Sequence, residues 1–393
     1  MPTGRGWAAL GAGAASLAMW GAFGEGELLL LGVFLILGVA LALAVVLAGR
    51  STVVLARRVS PNVVHEGQQA VVEVSLANQG QSLRDLAVQD EVAGLGSARF
   101  VAARLPRAEP VTARYEVACR SRGVYRVGPV SVTVSDPLGL AETGGRLGAA
   151  DRLVVYPAVE DLEGLPSVRG RDPSHQAVRP HFSHRGGEDF FTLREYQMGD
   201  DLRLVHWRSS AKQDELMIRQ LEVPWQARAL VFLDARASAY RSPAAFEKAV
   251  QGAASVVRHL HRLGFAIDLW AGSTGATQED GDRYRSAMEV LATVQPVDAL
   301  DLRGSAARLR RESGGGAMVM VTGMPDAEDV GAFLLLSRDF GSLLVMAVAE
   351  VEGASLVEFQ RAGAVTVAVP PQGAWAPAWR QAVRLTWSTA SAG

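Results

Sequence analysis

The densest collection of reactive side chain types lies between Gly186 and Arg219, GGEDFFTLREYQMGDDLRLVHWRSSAKQDELMIR. Asp200 and Asp201 stand shortly before His206, with Arg194 and Arg203 beside them. Paired carboxylates next to an imidazole are the residue types of general acid/base work or of metal ligation, and flanking guanidinium groups suit an anion. The same types also build structural ion-pair networks. Here both charge signs, Glu188, Asp189, Lys212, Asp214, Glu215 and Arg219 among them, interleave with Phe190, Phe191, Tyr196 and Trp207. That mixture favours an internally satisfied network over an open reactive centre. A nucleic-acid arm would be mainly basic, which this stretch is not.

Three other groupings need a reading. His175, His181 and His184, with Asp172, lie in a connector rich in Pro, Gly and Arg, Gly164 to Arg185. Three histidines can hold a metal, but this spacing fits no compact ligand motif and no cysteine is near, so a solvated connector is expected. Gly314-Gly315-Gly316 precedes a strand instead of opening a helix, which makes it a turn and not a phosphate cradle. Cys119, the sole cysteine, ends an alternating apolar run and reads as a core residue; no internal disulfide is possible.

The elements around these residues fall into four parts. With 393 residues, two globular domains and an anchor are expected. Lys and Arg number 39 against 41 Asp and Glu, so no global field draws nucleic acid. Residues 1–50 read as a transmembrane helical hairpin: Trp7 to Phe23 and the more apolar Leu28 to Ala48, joined at Gly24-Glu25-Gly26-Glu27. Arg5 precedes the pair, and Arg50, Arg57 and Arg58 follow it, which puts the bulk of the chain in the cytoplasm. Residues 51–160 alternate with period two, as in Ala70, Val72, Val74 and Leu76, between Gly- and Pro-containing turns, and read as a β-sandwich. Residues 161–226 hold the connector and the charged stretch.

Residues 227–393 alternate short apolar runs with helical periods, which predicts a doubly wound, mostly parallel α/β sheet. Strands are expected at Ala229 to Asp234, Ala266 to Trp270, Ala317 to Val321, Leu343 to Val348 and Ala364 to Val369. Helices are expected at Pro243 to Leu263, Arg283 to Thr293, Leu302 to Arg311, Ala327 to Arg338 and Leu356 to Arg361. Such sheets bind ligands at the carboxyl ends of their strands, which here carry Asp234, Ser273 and Thr322.

The series Leu193-Arg194-Glu195-Tyr196, Gly199-Asp200-Asp201, Arg203, His206-Trp207, Ser210-Ala211 and Leu216 to Arg219 closely resembles the signature of a bacterial family called domain of unknown function 58. The turns Arg122-Gly123-Val124-Tyr125 and Asp136-Pro137-Leu138-Gly139-Leu140 and the exit strand Val155-Tyr156-Pro157 share the resemblance. It implies that the α/β domain is similar to von Willebrand factor A domains. Those often hold a divalent metal through an Asp-x-Ser-x-Ser motif, a Thr and a further Asp. It also implies a MoxR-type AAA+ ATPase as a partner. At the metal position Asp234, Ser238 and Thr322 remain as oxygen donors, while Arg236 replaces the first serine and Gly323 stands where the second aspartate is expected. Asp234 is then the only acid at those two strand ends, and a hard cation, which takes about six oxygens, is poorly served. No cofactor is expected; Arg236 is expected to pair with Asp234, to offer its fork to a partner's carboxylate, or simply to point into solvent.

Two functional readings follow. One is a non-enzymatic, membrane-anchored interaction protein that presents the α/β domain to a cytoplasmic partner; the lack of a nucleophile–base pair and of a phosphate loop favours it. The other is an enzyme using Asp200, Asp201 and His206. In the first, Arg194, Glu195, Tyr196, Gly199, Asp200, Asp201, Arg203, His206, Trp207 and Arg219 form a structural network.

Overall fold

The computed structural model of the chain describes residues 1–48, 53–80, 83–107, 109–165, 190–195, 205–213, 216–221, 228–272, 274–276, 282–298, 304–305, 309, 316–338, 340, 342–349 and 353–390. It divides into two compact units, Met1–Ala158 and Val159–Gly393.

The first unit opens with α1 (Gly4–Phe23) and α2 (Gly26–Ala48). They meet where side chains are smallest. A Cβ on Gly32 would lie 2.9 Å from the Gly13 carbonyl oxygen, and one on Gly13 would lie 3.1 Å from that of Gly32. Small residues let helix backbones approach closely in this way. Of the two, α2 is long and apolar enough to cross a bilayer, over Gly26–Leu47.

Ten strands follow: β1 (Val53–Ser60), β2 (Val63–His65), β3 (Gln69–Asn78), β4 (Leu83–Val92), β5 (Gly96–Leu105), β6 (Val111–Ala118), β7 (Gly123–Val127), β8 (Val130–Ser135), β9 (Glu142–Leu147) and β10 (Asp151–Tyr156). They form a sheet β1-β3-β6 and a second sheet β2-β10-β7-β4-β8-β9, with β5 on β4. One core joins the two sheets. Val72, Val74 and Leu76 of β3 pack with Leu86 and Val88 of β4, Val130 of β8 and Leu153 of β10. The period-two alternation in the sequence is the cause, since it turns one face of each strand inward. Cys119 lies in that core, and burial pushes its thiol pKa up. Arg57 departs from its expected place among the basic residues that flank the helices. It sits in β1 with its side chain 3% exposed against Asp90, so it is not a surface charge.

The second unit begins with a strap, Val159–Leu165, tied by hydrogen bonds to the helices Pro243–Arg262 and Trp375–Ala390. It carries a two-stranded pair, β11 (Phe190–Glu195) and β12 (Met217–Leu221), and a short helix α3 (Trp207–Gln213). The rest is a six-stranded sheet: β13 (Arg228–Leu233), β14 (Ala266–Ala271), β15 (Thr274–Ala276), β16 (Ala317–Thr322), β17 (Ser342–Val348) and β18 (Val365–Val369). Its order is β15-β14-β13-β16-β17-β18, parallel except for the β15 edge. The order reverses between β13 and β16, the topological switch point where such sheets take ligands.

The helices are α4 (Pro243–Arg262), α5 (Arg283–Thr293), α6 (Ala327–Ser337), α7 (Ala354–Arg361) and α8 (Trp375–Ala390). Ser242 caps α4 by accepting from the Ala245 N–H at 3.2 Å, and Pro243 occupies the first turn, where its missing N–H costs nothing. The apolar face Phe246, Val250, Ala253, Val257 and Leu260 is buried, as its helical spacing requires.

α8 and β15 are absent from the sequence reading. α8 seats Trp375 and Trp379 in the core, and Gly252 makes room: a Cβ there would lie 2.8 Å from the Trp375 ring. The helix expected over Leu302–Arg311 falls largely outside the described residues.

Candidate functional site

Asp234 directly follows β13, Thr322 ends β16, and Arg236 lies two residues beyond Asp234. The chain after β13 is held in place by backbone pairing. Ala237 N–H donates to Val297 O at 2.9 Å and Val297 N–H donates to Ala235 O at 2.8 Å. The loop after β16 is drawn against it, Met324 N–H donating to Ala239 O at 2.8 Å. Gly323 is the residue this approach demands, because a Cβ there would sit 1.9 Å from the Ala239 oxygen. A carboxylate at that position is sterically excluded.

The missing acid comes from elsewhere. Asp329, in the first turn of α6, reaches back to Arg236, so Asp234 is not the sole carboxylate at these strand ends. The Arg236 guanidinium is gripped on two edges. Nε donates to Asp234 Oδ1 at 3.0 Å and Nη2 to Asp234 Oδ2 at 2.8 Å. Nη1 donates to Asp329 Oδ1 at 2.7 Å and Nη2 to Asp329 Oδ2 at 2.8 Å. Thr322 Oγ1 donates to Asp234 Oδ2 at 3.0 Å, and Arg236 N–H to Asp234 Oδ1 at 3.1 Å. The Asp234 side chain is wholly buried, while those of Arg236 and Asp329 are 13% exposed. The hydrogen bonds Arg236 donates to Asp234, and then those to Asp329, hold the guanidinium pKa well above its ordinary value, against burial, which lowers it.

Asp329 is itself pinned. Its N–H donates to Asp326 Oδ1 at 2.8 Å, and its Oδ2 accepts from the Asp326 N–H at 3.2 Å, a reciprocal cap on α6. The Tyr240 hydroxyl donates to the Asp234 carbonyl. Burial, then the Asp234 charge, pushes the Tyr240 phenol well above its usual range. Of the expected donors, Asp234 and Thr322 meet, and Ser238 lies exposed in the short turn Ala237–Ala239. Arg236 pairs with Asp234, the first of the three expectations for it, and does not point into solvent; its fork is filled from within. The guanidinium here occupies the carboxylate oxygens that a metal would need free. Among the described residues no group of three or more His, Cys, Asp or Glu is placed to hold a metal.

The signature stretch is built differently. β11 and β12 pair antiparallel, Arg194 opposite Ile218, Glu195 opposite Met217 and Leu193 opposite Arg219. Tyr196, Gly199, Asp200, Asp201 and Arg203 lie outside the described residues, as do His175, His181, His184 and Ser273. His206 caps α3. Its Nδ1 accepts from the Ser209 N–H at 3.2 Å and lies 2.7 Å from Ser209 Oγ. Accepting an amide proton fixes that nitrogen as the unprotonated one. Ser210 Oγ accepts from the Met217 N–H at 2.8 Å and donates to His206 O at 3.2 Å, tying α3 to β12. Trp207 is 68% exposed. His206 thus holds a turn together.

An open, doubly wound α/β sheet with an acid–guanidinium clasp at its switch point defines the class of this unit. Residues 192–321 match the family described as Protein of unknown function DUF58. The chain is 29% identical over 196 residues to "Uncharacterized protein YeaD" of Bacillus subtilis (strain 168), covering 49% of this chain and 47% of that protein. It therefore spans about half the length of that curated relative. Among solved structures, the CARDB domain of the PF1109 protein from Pyrococcus furiosus, in complex with di-metal ions, is 19% identical. It aligns over 27% of this chain and 93% of its own, with a TM-score of 0.22. The sporulation control protein Spo0M from Bacillus subtilis is 14% identical over 26% of this chain and 49% of its own, at a TM-score of 0.16. Similarity at these TM-scores carries no argument about fold or function.

Proposed function

We propose that this chain is a membrane-anchored, non-enzymatic interaction protein that presents the carboxyl end of a von Willebrand factor A-like sheet to a cytoplasmic protein partner, a MoxR-type AAA+ ATPase. In this reading α1 and α2 are a two-helix membrane anchor. The doubly wound, mostly parallel sheet with Asp234 and Thr322 at its strand ends supports the likeness to von Willebrand factor A domains.

The observation that carries the reading is the closed clasp. Where a ligand or metal would enter an open α/β sheet, the protein's own guanidinium takes up the oxygens of Asp234 and Asp329. Arg236 against two carboxylates leaves one net negative charge, so the surface suits a partner's N–H or basic group better than a carboxylate. Val297 and Met324, both exposed, add an apolar rim of the kind found in protein interfaces. His206, committed as a helix cap, supports the structural reading of the signature over the enzymatic one.

The test is binding of the full chain in nanodiscs to the purified, nucleotide-free ATPase. Binding should persist in a chelator and weaken in Met324→Asp. Failure to bind, or a turnover abolished by His206→Ala without loss of stability, favours the enzyme. A reporter phosphatase active only outside the cytoplasm, fused to Gly393, should be silent; strong activity reverses the orientation.

A further inference from the structure

We propose that the loop between β8 and β9, Asp136–Ala141, is a bilayer contact that seats the exposed Leu138 at the boundary between headgroups and acyl chains. The inference rests on the anchoring of α2 proposed above.

The loop is closed on its own acid. Asp136 is 5% exposed; its Oδ2 accepts from the Leu138 N–H at 2.8 Å and its Oδ1 from the Ala141 N–H at 2.6 Å. Asp136 N–H donates to Ala141 O and Gly139 N–H to Asp136 O, each at 3.0 Å. Gly139 takes the left-handed turn, at φ 67°. Pro137 has no N–H to satisfy. With the N–H groups of Asp136, Leu138, Gly139 and Ala141 taken, the segment enters a less polar medium at lower cost than an open turn does.

The Gly139 and Leu140 carbonyls are taken by the start of α1. Thr3 Oγ1 donates to Gly139 O at 2.6 Å and Thr3 N–H to Leu140 O at 2.9 Å. Gly6 permits the approach, since a Cβ there would lie 2.1 Å from Leu140 O. On the other side Leu140 and Ala141 pack with Ala42, Leu43 and Val46 of α2. This contact fixes the depth. The apolar segment ends at Leu47, so Ala42 lies roughly 7 Å inside it at 1.5 Å per residue. A segment of that length is about as long as the hydrocarbon core is thick. The loop therefore touches α2 at a level the acyl chains reach.

Two residues from this contact, Leu138 is 70% exposed, and Pro137 beside it is exposed as well. Trp7, 64% exposed, stands at the same end of α1. Arg5 Nη1 lies 3.7 Å from where a Cβ on Gly139 would be. A tryptophan, an arginine and a leucine together are the residue types of the interfacial zone, the cation for phosphate and the apolar groups for the acyl boundary.

The test uses the full chain in nanodiscs of phosphatidylcholine and phosphatidylglycerol, with a fluorophore on Leu138→Cys, on Phe34→Cys of α2 and on Val101→Cys of β5. The native Cys119 is 1% exposed and stays unlabelled. Lipid nitroxides are expected to quench the label at positions 138 and 34, and iodide the label at 101 only. Iodide quenching at 138, with lipid quenching retained at 34, overturns the inference while leaving the anchor intact. Loss of lipid quenching at 34 removes the anchor and the inference together. Without labels, Leu138→Asp leaves the loop's hydrogen bonds in place and should speed hydrogen exchange at the amides of 138–141 in nanodiscs. Unchanged exchange counts against the proposal.

Discussion

Each unit buries an arginine between two aspartates, and the two placements do different work. In the sandwich, Arg57 of β1 donates to Asp90 of β4 at 3.1 Å and to Asp151 at 2.7 Å, with its side chain 3% exposed. Tyr115 of β6 donates to the other Asp90 oxygen at 2.7 Å. Burial, then that hydrogen bond, pushes the Tyr115 phenol far above its ordinary range. β1 and β6 belong to one sheet and β4 to the other, so this cluster bolts the sandwich across its middle. In the α/β unit the same chemistry sits at the open end of a parallel sheet, with Arg236 and Asp329 partly exposed. A charge pair inside a core holds a fold; the same pair at a switch point closes a site. Residue types alone do not separate the two cases.

The largest effect should come from the bolt. Asp90→Ala removes the fully buried partner of Arg57 and leaves it only the half-exposed Asp151 carboxylate, and removing one partner of a buried pair costs about 3–5 kcal/mol. Urea unfolding of the full chain, read by hydrogen exchange on β4, measures it. Asp329→Asn should cost less, about 1–3 kcal/mol, because the fully buried Asp234 still holds Arg236 and Asp329 is the less buried of the two partners. Exchange read on β16 measures that. Equal costs at the two sites would make the clasp another bolt and remove the distinction.

The smallest effect concerns pH. His259 of α4 lies 2.8 Å from Gly164 O through Nε2, stacked edge-on to Trp379, and burial lowers its pKa below the ordinary 6.5. Its folded pKa lies under its unfolded one, so the unfolded chain takes the proton first. The stability it contributes is complete above about pH 6.5 and is lost as pH falls through the folded pKa. The α/β unit should therefore weaken between about pH 7 and pH 5 more steeply in the wild type than in His259→Gln. Equal slopes would refute this. The sandwich bolt, which contains no histidine, should keep its stability over that range.

Much of this architecture is legible in the chain. Ala229 to Asp234 and Ala317 to Val321 are continuous apolar runs, and they fold as the two strands at the switch point. Pro243 opens its helix where Ser242 can cap it. What escapes reading is long-range. Asp329 looks like an ordinary acid in a helix's first turn, and only the fold carries it to Arg236, 93 residues away. Gly323 reads as a lost ligand until the Ala239 carbonyl shows why no side chain fits. α8 escapes because Pro377, and tryptophans spaced for a core seat, dilute its helical period. Arg57 reads as a membrane-flanking charge because nothing local marks Asp90 as its partner.

Arg236 holds the oxygens of Asp234 and Asp329 that a divalent cation would need. Calorimetric titration of Mn²⁺ into the full chain in nanodiscs tests this, with Arg236→Ser in parallel. The wild type should show no micromolar binding, because every oxygen of Asp234 and Asp329 already accepts from the guanidinium. Arg236→Ser frees both carboxylates beside Thr322 and should gain binding that disappears in Arg236→Ser/Asp234→Ala. Micromolar binding to the wild type, abolished by Asp234→Ala alone, would contradict the account.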